Sequence, residues 1–222
     1  MTSYKIAVLG GTGPQGKGLA YRFAQAGHTV VIGSRAAERA DATAREIDAR
    51  IGGTSAVTGA SNEDAAASAE LVLLATPYEG HAEMLSELAP YLSGKTLISC
   101  VNPLGFDKRG AYGLDIADGS AGEEAARIVP DARVVGAFHH VSAVNLWESD
   151  GPLSHEDVLV CGDDKEAKQV VVELARAVTG RPGIDVGALR LARHLEPFTA
   201  VLIGINRRYK VRSGLLIGNF DR

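Results

Sequence analysis

Cysteine is almost missing from this 222-residue chain: Cys100 and Cys161 stand far apart, with no CxxC spacing. Two isolated thiols build neither a disulfide framework nor a zinc site, and they suit a reducing compartment. No apolar run approaches the roughly 18 residues that a membrane span requires. A strand pattern begins within four residues of Met1, which leaves no room for a signal peptide, so a cytoplasmic location is expected. Internal repeats of the solenoid kind are absent. So are GxSxG, HExxH and the P-loop, which removes the common hydrolase, zinc-protease and nucleotide-triphosphatase signatures. Charge is modest at −4, yet unevenly spread. The segment from Leu189 onward carries Arg190, Arg193, Arg207, Arg208, Lys210, Arg212 and Arg222 against Glu196 and Asp221, a net of +5 on a body of −9. A basic tail on an acidic body suits an anionic partner or a solvated face between subunits.

What is present is alternation. Short apolar runs that read as strands, Lys5–Gly10, Thr29–Gly33, Ala56–Thr58, Leu71–Ala75, Thr96–Cys100 and Val134–Phe138, are separated by helix-like stretches such as Gln15–Ala26 and Glu38–Arg50. Ser61 or Asn62 offers a cap for a helix running to Ala69. This order predicts an α/β fold, a Rossmann doubly wound parallel sheet with helices on both faces. After Leu146 the pattern resumes on a smaller scale. Val158–Cys161 and Gly183–Val186 read as strands, Lys165–Val178 as a helix capped by Asp163, and Glu196–Tyr209 as a last helix with Pro197 at its start. The expected division is therefore residues 1–146, a nucleotide-binding domain, and 147–222, a smaller C-terminal α/β extension. Pro103–Gly122, rich in Gly and Asp, reads as a long loop over the sheet edge.

The chemistry begins at Gly11-Thr12-Gly13-Pro14-Gln15-Gly16, a GxGxxG that follows an apolar strand and opens a helix. That context is what gives a short glycine pattern its weight. Gly11 permits the tight turn, Gly13 lets backbone approach a pyrophosphate, and Gly16 lets helix and strand pack closely. Free N–H groups and the positive helix end then receive the phosphates. The end of the second strand lacks the Asp or Glu that an NAD site uses on the ribose. It carries Ser34 and Arg35, with Arg39 one turn later, and a hydroxyl with two guanidinium groups complements a 2′-phosphate. The predicted cofactor is NADP(H).

In such sheets ligands bind beyond the carboxyl ends of the strands. Thr76, Asn102 and His139 are the polar groups there able to orient a nicotinamide or its partner, while Pro77 and Pro103 stop their strands. His139 is the expected catalytic-site residue, in a positioning role, and His140 is expected to be exposed. The pair gives no metal site, since adjacent residues point apart and no acidic or thiol spacing completes a ligand set. Tyr91 and Lys95 match the YxxxK of short-chain dehydrogenases in form alone, because they fall in a loop broken by Gly94. No convincing general acid or nucleophile remains. A carbonyl or imine reductase needs a proton donor beside the hydride acceptor, whereas hydride transfer between two ring cofactors needs mainly stacking and distance.

GGTGPQGKGLA, VVIGSRAAERA, SNEDAA, LATPYE, VVGAFH and VCGDDKEAKQVV, in this order, resemble the NADPH-dependent coenzyme F420 reductase family from about Lys5 to the end of the chain. The resemblance implies hydride exchange between NADPH and the deazaflavin coenzyme F420. It places Thr12, Gly13, Pro14 and Gln15 on the pyrophosphate and Ser34, Arg35 and Arg39 on the 2′-phosphate. Tyr78, Ala82 and Ala143 would border the dinucleotide, Ala137 the nicotinamide, and His139, Val141 and Leu215 the deazaflavin. It also implies a homodimer and an anionic coenzyme side chain for the basic tail to meet. The partners expected are thus small molecules, with no nucleic acid and no membrane. Three other readings remain open: a reductase of a small imine or carbonyl, a flavin or ferric reductase, and a redox sensor that binds NADP without turnover.

Overall fold

The computed structural model describes residues 2–219; Asp221 and Arg222, counted in the charge of the tail, lie outside the described residues. The first half runs β1 (Lys5–Leu9), α1 (Pro14–Gln25), β2 (Thr29–Ser34), α2 (Ala37–Arg50), β3 (Val57–Ser61), α3 (Asn62–Ser68), β4 (Leu71–Leu74), α4 (His81–Leu92) and β5 (Thr96–Ser99). It continues with a hairpin of β6 (Leu104–Asp107) and β7 (Gly110–Gly113), then α5 (Ala121–Ile128), β8 (Arg133–Gly136) and α6 (Ala143–Glu148). The remainder is β9 (Leu159–Gly162), α7 (Lys165–Leu174), α8 (Arg176–Thr179), β10 (Ile184–Gly187), a 3-10 turn and α9 (Ala192–Tyr209).

The main sheet has the order β10-β9-β8-β5-β4-β1-β2-β3. Every neighbouring pair is parallel except β8 with β9. Strands buried on both faces need apolar residues at every position, and β1 and β4 supply them. Ile6 and Val8 join Leu19, Phe23 and Ile32 on one face, while Ala7 and Leu9 join Val72, Leu74 and Leu85 on the other. This is the expected doubly wound sheet, and β9 and β10 continue the same sheet beyond β8. Among the described residues no helix is long and apolar enough to cross a membrane.

Helix α1 packs unusually close to its surroundings. A Cβ on Gly16 would lie 2.8 Å from the Gly10 carbonyl, and one on Gly18 would lie 2.7 Å from the Leu146 Cβ. Only glycine lets α1 touch the β1 turn on one side and α6 on the other. One turn on, Arg22 is almost fully buried. Its guanidinium donates to the carbonyls of Leu146 (2.7 Å), Gly151 (2.8 Å), Asn145 (3.2 Å) and Ser149 (2.7 Å). Those oxygens belong to the end of α6 and the chain leaving it, where a helix terminus leaves carbonyls short of partners; of the four, Asn145 also accepts from the Ser149 amide (3.1 Å). Arg22 therefore fixes α6 on α1. Glu196 does the equivalent job for α9, its two oxygens accepting from the Ala121 (2.8 Å) and Gly122 (3.0 Å) amides at the start of α5.

Several expectations need correction. The segment 103–122 is not a plain loop. Asp107 accepts from the Arg109 and Gly110 amides to turn a short antiparallel hairpin, and Ser120 then caps α5 through the Glu123 amide. The cap of α7 is Asp164, not Asp163, whose carboxylate instead accepts from the Leu189 amide. That helical stretch ends at Leu174 and restarts as α8. The last helix begins at Ala192, so Pro197 lies inside it. Tyr91 sits in the last turn of α4 rather than in a loop, and the Lys95 ammonium caps α3 by bonding the Ala66 and Ala67 carbonyls.

Replacing Arg22 by Met keeps the bulk but leaves the Leu146, Ser149 and Gly151 carbonyls without their donor, while Asn145 keeps its bond from the Ser149 amide. Each orphaned buried group costs about 1–3 kcal/mol, so the loss should reach at least ~3 kcal/mol. For a chain of this size that lowers the melting temperature by about 6–12 °C. Thermal unfolding followed by circular dichroism measures it, and a shift below about 2 °C would show that the buried guanidinium holds nothing.

Candidate active site

Beyond the carboxyl ends of β1, β4, β5 and β8 lies a half-open cavity of about 460 Å³. Gly13, Pro14 and Gln15 form one wall, Ala75, Thr76 and Pro77 the next, and Cys100 with Asn102 the floor. The run from His139 to Ala143 closes a third side. Opposite stand Thr199, Leu202, Ile203 and Asn206 of α9, with Ser213 beyond it. The spacing i, i+3, i+4, i+7 puts those four on one helix face. Sequence reasoning missed this wall, although the spacing was there to be read. Ser213 is locked to it, donating from its amide (2.6 Å) and hydroxyl (2.8 Å) to the Asn206 side chain.

The geometry suits a dinucleotide. Helix α1 opens at Pro14 with no side-chain cap and no acid in its first turn. Its leading amides and positive end thus stay available to phosphate. Gly11 and Gly16 lie beneath the turn, buried in packing, while Thr12 is half-buried beside it. At the end of β2 Ser34 is buried and its hydroxyl accepts from the Ala36 amide (3.3 Å). Arg35 and Arg39 are exposed beside it, and neither pairs with a carboxylate among the described residues. The other end of the cavity holds buried polar atoms with no protein partner: Thr76 Oγ1, Asn102 Oδ1 and both ring nitrogens of His139. A buried polar atom left unbonded costs about 1–3 kcal/mol, and a ligand's amide or ring edge is what can complete such groups.

The remaining predicted residues stand around the cavity rather than on it. Tyr78 turns toward α5, where its hydroxyl donates to Glu124 Oε1 (3.1 Å), and His81 Nδ1 lies 2.7 Å from the other Glu124 oxygen. Burial first, and then Glu124, push the Tyr78 phenol up to about 12. Ala82 is exposed on the first turn of α4, and Ala137 is wholly buried in the core. Leu215 sits on the strap after α9, where its carbonyl accepts from the Asp157 amide (2.6 Å). Asp157 holds the strap a second time by accepting from the Ile217 amide (2.8 Å).

Three titratable side chains line the cavity, and each is held neutral. Burial pushes the His139 imidazole down to about 3, with His140 adding to it. His140 is lowered by burial too, and it is not exposed as expected: its Nε2 lies 2.7 Å from the Leu195 carbonyl and so carries the proton. Burial drives the Cys100 thiol up to about 12, and its sulfur donates to the Leu74 carbonyl (3.1 Å). The cavity can orient and enclose, but among the described residues its lining offers no charged acid, base or nucleophile.

The turn that delivers His139 is strained. Phe138 has a φ of 64°, the left-handed region, although its ring is buried edge-on to Phe23 at 5.7 Å between centroids. For a bulky residue this costs on the order of 1–3 kcal/mol and persists only where neighbours enforce it. The Gln15 side-chain amide donates to the Phe138 carbonyl (3.2 Å), tying this turn to the start of α1.

Comparison with known proteins identifies the family. Residues 5–103 match the family model described as NADP oxidoreductase, coenzyme F420-dependent. The F420-dependent NADP reductase of Methanocaldococcus jannaschii is 38% identical over 98% of this chain and 99% of its own. That of Methanothermobacter thermautotrophicus is 41% identical over 97% and 95%. A crystal structure of a protein described as an F420-dependent NADP reductase from Arthrobacter sp. FB24 superposes with a TM-score of 0.79 at 30% identity, covering 95% of this chain and 96% of that one. With likeness of this extent in sequence and in structure, the chain belongs to the F420-dependent NADP reductase family.

Proposed function

We propose that this protein transfers a hydride reversibly between NADPH and the deazaflavin coenzyme F420. One observation carries the reading: the titratable groups lining the cavity, Cys100, His139 and His140, are all held neutral. Ring-to-ring hydride transfer asks the protein for distance and enclosure, since the cofactors supply the chemistry. Reduction of an imine or carbonyl asks for a proton donor as well.

In this reading residues 1–146 hold NADP(H) and residues 147–222 add the deazaflavin wall and a dimer contact. The turn of Thr12, Gly13, Pro14 and Gln15 takes the pyrophosphate, with the Gln15 amide as a free donor, since Pro14 has no N–H and the Gly13 amide bonds the Gly10 carbonyl. Ser34, Arg35 and Arg39 take the 2′-phosphate, and Thr76 and Asn102 orient the carboxamide. His139, Val141 and Leu215 border the deazaflavin, with Ala137 behind the nicotinamide and Tyr78, Ala82 and Ala143 along the dinucleotide. Arg193 and Arg212 are paired with Glu123 and Glu148, and of the other basic residues Arg207, Arg208 and Lys210, together at the end of α9, meet an anionic coenzyme side chain. Phe198, Val201, Ile205 and Tyr209 make an exposed apolar stripe along α9, beside exposed Phe106 and Tyr112, and this supports a homodimer. The two free cysteines suit the cytoplasm, where thiols stay reduced.

Mixing the protein with NADPH and oxidised F420 should bleach the near-visible band of the deazaflavin with matching consumption of NADPH. Tight NADPH binding without turnover would favour a sensor instead. Replacing Arg35 by Asp should raise the KM for NADPH on the order of 50-fold while leaving NADH use unchanged or improved, because a charge-assisted contact becomes a repulsion. An unaltered preference between the two nucleotides would remove the 2′-phosphate site. His139→Ala should slow hydride transfer by about 3–10-fold without abolishing it. A ring lowered to about 3 stays neutral above that pH, so the ratio of wild-type to variant rates should be flat across neutral and mildly acidic solution. A ratio that bends near the ordinary histidine value would give His139 a proton-transfer role.

A further inference from the structure

We infer that Thr199, on the α9 wall, is a positioning residue for the hydride transfer, acting through the main-chain carbonyl of His139. The inference deepens the proposed function and rests on it for its kinetic arm. Two successive carbonyls at the strained turn are gripped from three sides. Phe138 offers its oxygen to Gln15 of α1. The His139 carbonyl accepts from Asn102 Nδ2 (3.0 Å) and from Thr199 Oγ1 (3.0 Å). The nucleotide wall, the end of β5 and the α9 wall thus meet at two successive peptides, the first gripped from α1 and the second from both other elements.

Two consequences follow for the reacting rings. Asn102 spends its NH₂ on the His139 carbonyl, so its Oδ1, buried and without a protein partner, is presented as an acceptor. The ligand group it takes is an N–H donor, as on a carboxamide or the imide edge of a tricyclic heterocycle. The Thr199 hydroxyl uses the second lone pair of that carbonyl and fixes how far α9 stands from the turn. Leu202 and Ile203 follow on the same helix face, so the distance between the apolar wall and the nicotinamide side is set there. Hydride transfer is steeply sensitive to such a gap, a misplacement of about 1 Å costing on the order of 100-fold. Other left-handed residues with side chains, Ser55, Lys210 and Asn219, are not in the buried core, which singles out the turn at Phe138 as one the surroundings must enforce.

Thr199→Val is close to isosteric and removes only the donor; Thr199→Ser returns it. In single turnovers from 4-deuterated and unlabelled NADPH to F420, the Val variant should transfer about 10-fold more slowly, with the NADPH dissociation constant unchanged. The Ser variant should recover most of the rate. Hydrogen exchange supplies a readout independent of activity: amides of residues 139–141 should exchange faster in Thr199→Val and at the wild-type rate in Thr199→Ser. Equal transfer rates in wild type and Val variant, or unchanged exchange at 139–141, would overturn the inference. An inactive wild type would overturn the proposed function instead, and the exchange measurement would still decide the role of Thr199.

Discussion

The contact on which the rest of this structure depends is the close approach of α1 to the two bodies it lies between. At Gly16 the helix touches the turn after β1, and at Gly18 it touches α6, with no room for a side chain at either point. Arg22 then closes the open end of α6 with four carbonyl bonds. A single helix thereby presents its amino end to the cavity and fixes the segment, His139 to Ala143, that closes another side of it. Burial disfavours the guanidinium charge and lowers its pKa, and the oriented carbonyls at the helix end are the groups that answer that cost.

Helix α9 is attached by different means. Glu196 reaches under it to the first amides of α5, and burial pushes that carboxyl up to about 7 against the lowering effect of its two N–H bonds. At its cavity face the helix is held by the Thr199 hydroxyl and by the carbonyl of Leu195, which accepts from His140. Both contacts converge on the turn after β8. The strained φ of Phe138 is the local expression of this: three elements demand a direction for the His139 peptide that an ordinary strand end would not give.

The nucleotide half was legible because its signals are local and periodic. Apolar runs of four to six residues mark the strands, and a glycine turn placed directly after one of them marks the phosphate site. Less was legible after residue 103. Ser120 with Glu123 is a capping pair that announces α5, but it stands at the end of a Gly- and Asp-rich stretch and was overshadowed by it. The α9 wall was written as Thr199, Leu202, Ile203 and Asn206, yet a helix face acquires meaning only when the sheet against which it packs is known. Nothing in the sequence distinguishes Arg22 from a surface arginine, because its partners are backbone atoms more than 120 residues away. The exposure expected of His140 failed for the same reason, its partner being a carbonyl on α9.

Among the described residues the cavity lining holds no charged side chain, and this follows from how it is enclosed. Packing α6 and α9 against the strand ends removes His139 and His140 from water, and removal from water disfavours their cationic forms. The same burial keeps Cys100 as a thiol. A cationic imidazolium beside a nicotinamide would oppose the positive charge that develops as hydride leaves, whereas a neutral ring imposes no such penalty. Enclosure and the neutrality of these three side chains are in this way one property, produced by the two helices that close the cavity.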